Sequence, residues 1–111
     1  SPMVEDAEWT RLKSELKWFN GYLGATRDLD VAIELHAGNA EAFRMRGHAL
    51  LKLNRLDEAW KDVETAMRLA PKDVDVIVLR GDVREAMRLA GRQDPAGLDA
   101  ADAPRTRIVG N

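Results

Sequence analysis

The chain has 111 residues, 45% hydrophobic and 32% charged, which fits one soluble folded domain and excludes the profile of a disordered chain. Its 17 basic and 19 acidic residues are interspersed and leave a formal net charge of −2, so we expect no binding to nucleic acid or to a membrane, since each needs a basic face. The absence of cysteine excludes disulfides, thiol chemistry and thiolate metal sites.

The spacing of apolar residues predicts five helices. In chain order they cover about residues 4–19, 22–36, 40–53, 56–70 and 74–90. Asn39 and Asp73 suit N-caps, because their side-chain oxygens accept hydrogen bonds from the free amides of a first turn. Pro71 cannot continue a helix and Gly91 adopts the left-handed conformation freely, so both mark helix ends.

An internal repeat of 34 residues relates these helices. The corresponding sets are Gly47 and Gly81; Ala25 and Ala59; Ala32 and Ala66; and Trp9, Phe43 and Ile77. Residues 74–79 are rich in β-branched side chains and are by themselves compatible with a strand, but their place in the repeat favours a helix. All six aromatic residues precede residue 61, which predicts that the N-terminal half carries most of the core.

The middle unit resembles a tetratricopeptide repeat, in which small residues allow paired helices to approach and large ones fill the seams. The repeat-packing residues in this comparison are Phe43, Gly47, Leu50, Ala59, Val63, Ala66 and Pro71, with Gly81 at the position of Gly47 in the next unit. The first unit departs from the pattern with Lys13 at the small position and Ala37 in place of proline, and the third has Arg84 at an apolar position.

The resemblance implies an all-α, right-handed array of antiparallel helix pairs over residues 4–91. It consists of units 6–39 and 40–73 and a capping helix, 74–90, whose polar outer face ends the array. Residues 92–111 have few apolar side chains and are predicted to be a weakly structured or disordered tail.

The segment 15–34 resembles one helical segment of the conserved-histidine α-helical (CHAD) domain. The resemblance lies in Leu23-Gly24-Ala25-Thr26-Arg27-Asp28-Leu29-Asp30. That family is associated with polyphosphate binding through many basic and histidine side chains, whereas this chain has only His36 and His48. The resemblance implies an alternative function, a small polyanion-binding helical domain built around Arg27.

Tetratricopeptide arrays hold a protein or peptide segment on the concave face formed by the first helix of each unit. The residues that the resemblance places on this groove are Thr10, Ser14, Lys17, Trp18, Glu41, Arg44, His48, Lys52, Asp75, Val78, Asp82 and Glu85. Arg44, His48 and Lys52 form one basic stripe at a spacing of four residues. The alternative is a solvated charged face. Trp18 is interpreted as a partner anchor, a self-association contact or a core residue of an irregular unit.

The sequence offers no catalytic apparatus. It has no Gly-x-Ser-x-Gly motif and no glycine-rich phosphate loop, and neither histidine has a second histidine at helical spacing. We therefore expect a non-enzymatic scaffold with a protein or peptide partner, no cofactor and no metal site, and keep self-assembly into a homo-oligomer as a third alternative. No apolar run reaches the roughly 18 residues of a membrane span, and no basic-then-apolar leader opens the chain, so we expect a cytoplasmic location.

Overall fold

All regular structure in the computed structural model, which describes residues 2–16, 18 and 21–91, is helical. The helices are α1 (Pro2–Ser14), α2 (Gly21–Leu35), α3 (Ala40–Lys52), α4 (Leu56–Leu69) and α5 (Val74–Leu89). Consecutive helices from α2 to α5 pack side by side, and α3 also contacts α5. The all-α class is therefore confirmed, and the strand considered for residues 74–79 is wrong. The predicted tail, 92–111, lies outside the described residues.

Local signals set the ends of the later helices as predicted. The Asn39 side chain accepts a hydrogen bond from the Ala42 amide at 3.2 Å and caps α3. Asp73 accepts from the Asp75 amide at 2.9 Å and caps α5. Gly91 follows α5 with a φ of 76°, the left-handed conformation expected of a glycine beyond a helix end.

The first helix ends earlier than its predicted limit at residue 19. Ser14 is the last residue of α1, and its hydroxyl donates to the Arg11 carbonyl at 2.7 Å. Beyond Ser14 the backbone bonds change to a three-residue spacing, with the Leu16 amide donating to the Lys13 carbonyl at 3.2 Å. As a result Trp18 lies beyond the helix, in the connection to α2.

The core consists of two clusters, and the larger one lies in the C-terminal half of the described chain. Its buried residues come from α3, α4 and α5: Leu50, Leu56, Ala59, Trp60, Val63, Leu79, Val83 and Met87. The smaller cluster joins α1, α2 and α3 through Trp9, Leu29, Ala32 and Ala42. The prediction that the aromatic-rich N-terminal half carries most of the core is wrong, because the larger cluster consists mainly of aliphatic side chains of α3 to α5, with Trp60 as its aromatic member.

Gly47 is where α3 crosses its neighbours most closely. A Cβ atom added there would lie 3.4 Å from both Asp62 Cβ and Leu79 Cδ2, and 3.5 Å from the Ala59 carbonyl oxygen. The predicted equivalence of Gly81 is wrong, since Gly81 is exposed and an added Cβ would meet no atom within 4 Å. The physical reason is that no other helix in the described part of the chain covers that face of α5.

Candidate functional site: a groove between α3 and α5

A shallow pocket of about 180 Å³ lies between α3 and α5 and is called the α3–α5 groove here. It is lined by Arg44, His48, Asp75, Val78, Leu79 and Asp82. The lining follows from helical spacing, because residues three or four apart share a face. The close approach at Gly47 brings the two helices together beneath the groove, where Leu79 is buried.

The two walls of the groove carry opposite charges. Arg44 belongs to α3, and Lys52 extends the same stripe to the end of that helix, whereas Asp75 and Asp82 belong to α5. Within residues 21–91, the described carboxylate partner of Arg44 is Glu41, with Arg44 Nη2 3.8 Å from Glu41 Oε2. In the same range Lys52, Asp75 and Asp82 form no ion pair. The groove thus holds separated charges that do not neutralise one another.

An aromatic rim continues the α3 wall. The Tyr22 ring lies 6.1 Å from the His48 ring in an edge-to-face arrangement, and the Trp18 ring lies 6.1 Å from the Tyr22 ring in the same manner. Trp18 and Tyr22 are each 38% exposed. Exposed aromatic rings of this kind provide large contact area at small entropic cost.

Tyr22 was not among the predicted groove residues. Its counterpart in the repeat is Leu56, which is buried, so the repeat suggested a core position for Tyr22 as well. The sequence feature that could have predicted its position is local: Tyr22 follows the α1–α2 connection and lies four residues after Trp18.

His48 is a hydrogen-bonding group rather than a cation in this setting. Burial lowers the pKa of His48 below its ordinary value of 6.5, and the positive charges of Lys52 and Arg44 lower it further. The Asp82 carboxylate acts in the opposite direction. At neutral pH the imidazole is therefore mostly uncharged, with one ring nitrogen that donates and one that accepts.

Several predicted groove residues lie elsewhere, which corrects the extent of the predicted groove. Glu41 accepts hydrogen bonds from Trp9 Nε1 at 2.8 Å and from Lys13 Nζ at 3.2 Å, so it ties α1 to α3. The Ser14 hydroxyl is bonded to its own helix, and Thr10 is exposed on α1 without lining the groove.

Glu85 is also outside the groove. It pairs with Arg88 on the same helix and lines a separate depression together with Gly81, Arg84 and Arg88. The spacing of α5 explains this, because residues three apart along a helix are neighbours on its surface. Lys17 lies outside the described residues.

An ion-pair network that the sequence did not predict holds α3 in place. Arg46 donates from Nε and Nη2 to the two carboxylate oxygens of Asp62, at 2.8 and 2.7 Å, and from Nη1 to Asp30 at 2.8 Å. It thereby connects α2, α3 and α4. The hydrogen bonds to buried Asp62 raise the pKa of Arg46, although burial opposes them. Arg46 is two residues from both Arg44 and His48, which puts it on about the opposite face of α3.

No set of three or more His, Cys, Asp or Glu side chains is placed to hold a metal ion in the described part of the chain. None of α1 to α5 is long and apolar enough to cross a bilayer.

The packed helices and the groove between alternate ones define a small helical-repeat module. The family model of the CHAD domain matches residues 1–108, and the chain belongs to this family. The resemblance of segment 15–34 to that family is thus confirmed and extends over nearly the whole chain. The tetratricopeptide resemblance holds at the coarser level of a helical repeat, and its specific assignment stays a prediction.

Two curated proteins share local similarity with the chain. Protein unc-45 homolog B of Xenopus tropicalis is 39% identical over 54 residues, 49% of this chain and 6% of that protein. Protein unc-45 homolog B of Xenopus laevis is 40% identical over 52 residues, 47% of this chain and 6% of that protein. The matched segment is therefore only a small part of the length of these relatives. No solved structure matches the chain.

Proposed function

We propose that the chain is a non-enzymatic interaction module that binds a peptide or partner segment in the α3–α5 groove. The observation that carries this proposal is the pair of oppositely charged walls that form no ion pair with each other across an open groove. A structural ion pair would close this gap, as the Arg46–Asp62 pair does on the other face of α3 at 2.7 Å.

The size of the groove supports a segment of a longer chain as the ligand. Its volume of about 180 Å³ is below the roughly 300 Å³ at which pockets for small molecules begin. A groove of this size accepts one or two side chains while the rest of the ligand lies along the surface. The exposed Trp18 and Tyr22 would contact that remainder.

The residues that line the groove support binding of a ligand without catalysis. His48 is its only acid–base group of intermediate pKa, and no serine, threonine or cysteine belongs to its lining. Half-exposed ion pairs contribute about 0.2–1 kcal/mol each, so the charges set selectivity more than strength. We expect dissociation constants in the micromolar range, about −7 to −8 kcal/mol.

A displayed random peptide library tests the proposal. Peptides selected on the wild-type protein should bind at least tenfold more weakly to the variant Arg44→Glu/Lys52→Glu. The matched control is Arg68→Glu/Lys72→Glu, which makes the same charge change on exposed residues of α4 and the turn after it. Circular dichroism checks that both variants are folded. Selected peptides that bind all three proteins equally would refute the groove as the binding site.

Polyphosphate binding is the second candidate, and family membership favours it. Arg27 is exposed on α2, within the segment 15–34 whose sequence resembles that family. The net charge of −2 and the acidic α5 wall oppose a polyanion at the groove, so such a site would have to use α2 instead.

Titration calorimetry with polyphosphate at two salt concentrations separates these candidates. Saturable, salt-sensitive binding that is lost in Arg27→Ala but kept in Arg68→Ala would establish polyanion binding at α2. Absence of heat at both salt concentrations would remove this candidate.

A further inference from the structure

We infer that the α3–α5 groove selects extended segments in which acidic and basic residues alternate, with acidic side chains toward α3 and basic ones toward α5. This inference rests on the proposed function and specifies its ligand. The juxtaposition that carries it is Arg44 on α3 facing Asp75 and Asp82 on α5 across the groove, with Lys52 continuing the basic stripe to the end of α3.

The charges of the two walls form no ion pair with each other, although Arg44, Asp75 and Asp82 line the same groove. Asp82 lines the groove opposite His48 and raises the pKa of that imidazole, against the larger lowering by burial and by Lys52 and Arg44. Nevertheless neither aspartate comes within 4 Å of Arg44 or Lys52 among the described side chains. A ligand with one acidic and one basic side chain can form an ion pair with each wall at the same time.

The spacing along α3 matches an extended chain. Arg44, His48 and Lys52 follow one another at four-residue steps, which are about 6 Å each along a helix. Alternate residues of an extended peptide are about 6.6 Å apart and point to the same side. Acidic residues four positions apart in the peptide therefore fall beside Arg44 and Lys52, and the residue between them falls beside His48 and Tyr22.

The opposite side of the same peptide faces α5. Because neighbouring residues of an extended chain point in opposite directions, basic residues next to the acidic ones would face Asp75 and Asp82. These aspartates are seven residues apart, about 10.5 Å along the helix, within reach of long lysine or arginine side chains. Val78 lies between them, 56% exposed, and offers an apolar contact.

A helical or uniformly charged ligand does not meet these conditions. A helix presents residues three or four apart on one face, so it does not direct neighbouring residues to opposite walls as an extended chain does. A peptide of one charge would be attracted by one wall and repelled by the other. Selectivity thus comes from both walls together.

Two synthetic peptides of the same composition provide the test. The alternating peptide has glutamate at its third and seventh positions, lysine at its fourth and eighth, and tyrosine at its fifth. The block peptide places both glutamates before both lysines. We expect fluorescence anisotropy to show that the wild-type protein binds the alternating peptide at least tenfold more tightly than the block peptide.

Charge-swap variants test each wall separately. Arg44→Glu/Lys52→Glu and Asp75→Lys/Asp82→Lys should each weaken binding of the alternating peptide at least fivefold, and Arg68→Glu/Lys72→Glu should not. The combination of both swaps should prefer a peptide with the glutamates and lysines exchanged. Since Asp75 lies in the first turn of α5, Asp82→Lys alone serves as a second variant that leaves this turn intact.

Equal binding of the alternating and block peptides, or no effect of the α5 swap, would overturn the inference. If library-selected peptides still depend on Arg44 and Lys52 in that case, the proposed function stands and only the alternating pattern is wrong. If neither the designed nor the selected peptides bind, both are wrong.

Discussion

The two halves of the described chain use the same repeat position in different ways. In the middle unit the position is Gly47, and α3 packs directly on Asp62, Leu79 and the backbone at Ala59. In the first unit it is Lys13, whose ammonium group reaches Glu41 at 3.2 Å. Close packing at one crossing is thus replaced by a polar contact at the other.

Polar contacts recur throughout the attachment of α1. Trp9 donates to Glu41, the Lys13 ammonium group lies 5.6 Å from the centre of the Trp9 ring, and His36 Nε2 lies 2.8 Å from Glu8 Oε1. Partly exposed contacts of this kind contribute little each, whereas a buried seam contributes through its whole area. We therefore expect α3 to α5 to be the stable part of the molecule and α1 to open first.

The largest expected effect is that of Asp62→Ala. Asp62 is 4% exposed and holds two of the Arg46 nitrogens, so its removal leaves a partly buried guanidinium without its main partner. We expect a loss of about 3 kcal/mol in the free energy of unfolding, measured by urea denaturation. Asp30→Ala removes the exposed partner of the same arginine from the first unit and should cost less than about 1 kcal/mol. Equal losses would contradict the difference between the two halves.

A smaller loss is expected from Gly47→Val. The Cβ position is already at contact distance from two side chains, so the two added methyl groups must displace α4 or α5. We expect Gly47→Val to lower the free energy of unfolding by about 1–3 kcal/mol more than Gly81→Val. Gly81→Val is the matched control, since it makes the same change within a helix where the space is open. If the free energies of unfolding of the two variants differ by less than the experimental error, the crossing at Gly47 accommodates a larger side chain.

Local residue types predicted the helices well because capping and termination depend on neighbours in the chain. Asn39, Asp73 and Gly91 each act within a few residues of a helix end, and the structure places each as expected. The end of α1 was missed because the period of apolar residues continues past Ser14 to Leu16, and such a period does not show where the backbone bonds change to a three-residue spacing.

Contacts between helices were harder to predict. The Arg46 network depends on how α2, α3 and α4 are rotated about their axes, and charge counts alone did not distinguish Arg46 from Arg44. Similarly, Glu41 was assigned to the groove by the tetratricopeptide resemblance, but its carboxylate accepts hydrogen bonds from Trp9 and Lys13 of α1. The basic stripe itself needed only the four-residue spacing, and the structure puts Arg44 and His48 together in one groove.

A change of pH tests the attachment of α1 with a smaller expected effect. Although burial raises the pKa of Glu41, hydrogen bonds from Trp9 and Lys13 outweigh it and hold the pKa below 4.5. The stabilisation is therefore present above about pH 4.5 and is lost as the pH falls through the folded-state pKa. We expect amide exchange in α1 to accelerate over that acidic range, corrected for the intrinsic rate, while α4 stays protected. Glu41→Gln should cost about 1 kcal/mol and reduce the pH dependence of amide exchange in α1.

The smallest effect concerns the titration of His48, which compares the two walls of the groove directly. Burial sets its lowered pKa, and the two walls then act with opposite signs: Lys52 and Arg44 lower the pKa and Asp82 raises it. In an NMR titration the midpoint of His48 should lie below 6.5. Lys52→Gln should shift the midpoint up because a repelling charge is removed, and Asp82→Asn should shift it down because an attracting charge is removed. If both variants shift the His48 midpoint equally and in the same direction, the Asp82 carboxylate does not face His48. The basic residues of the alternating peptide would then have no acidic wall to bind.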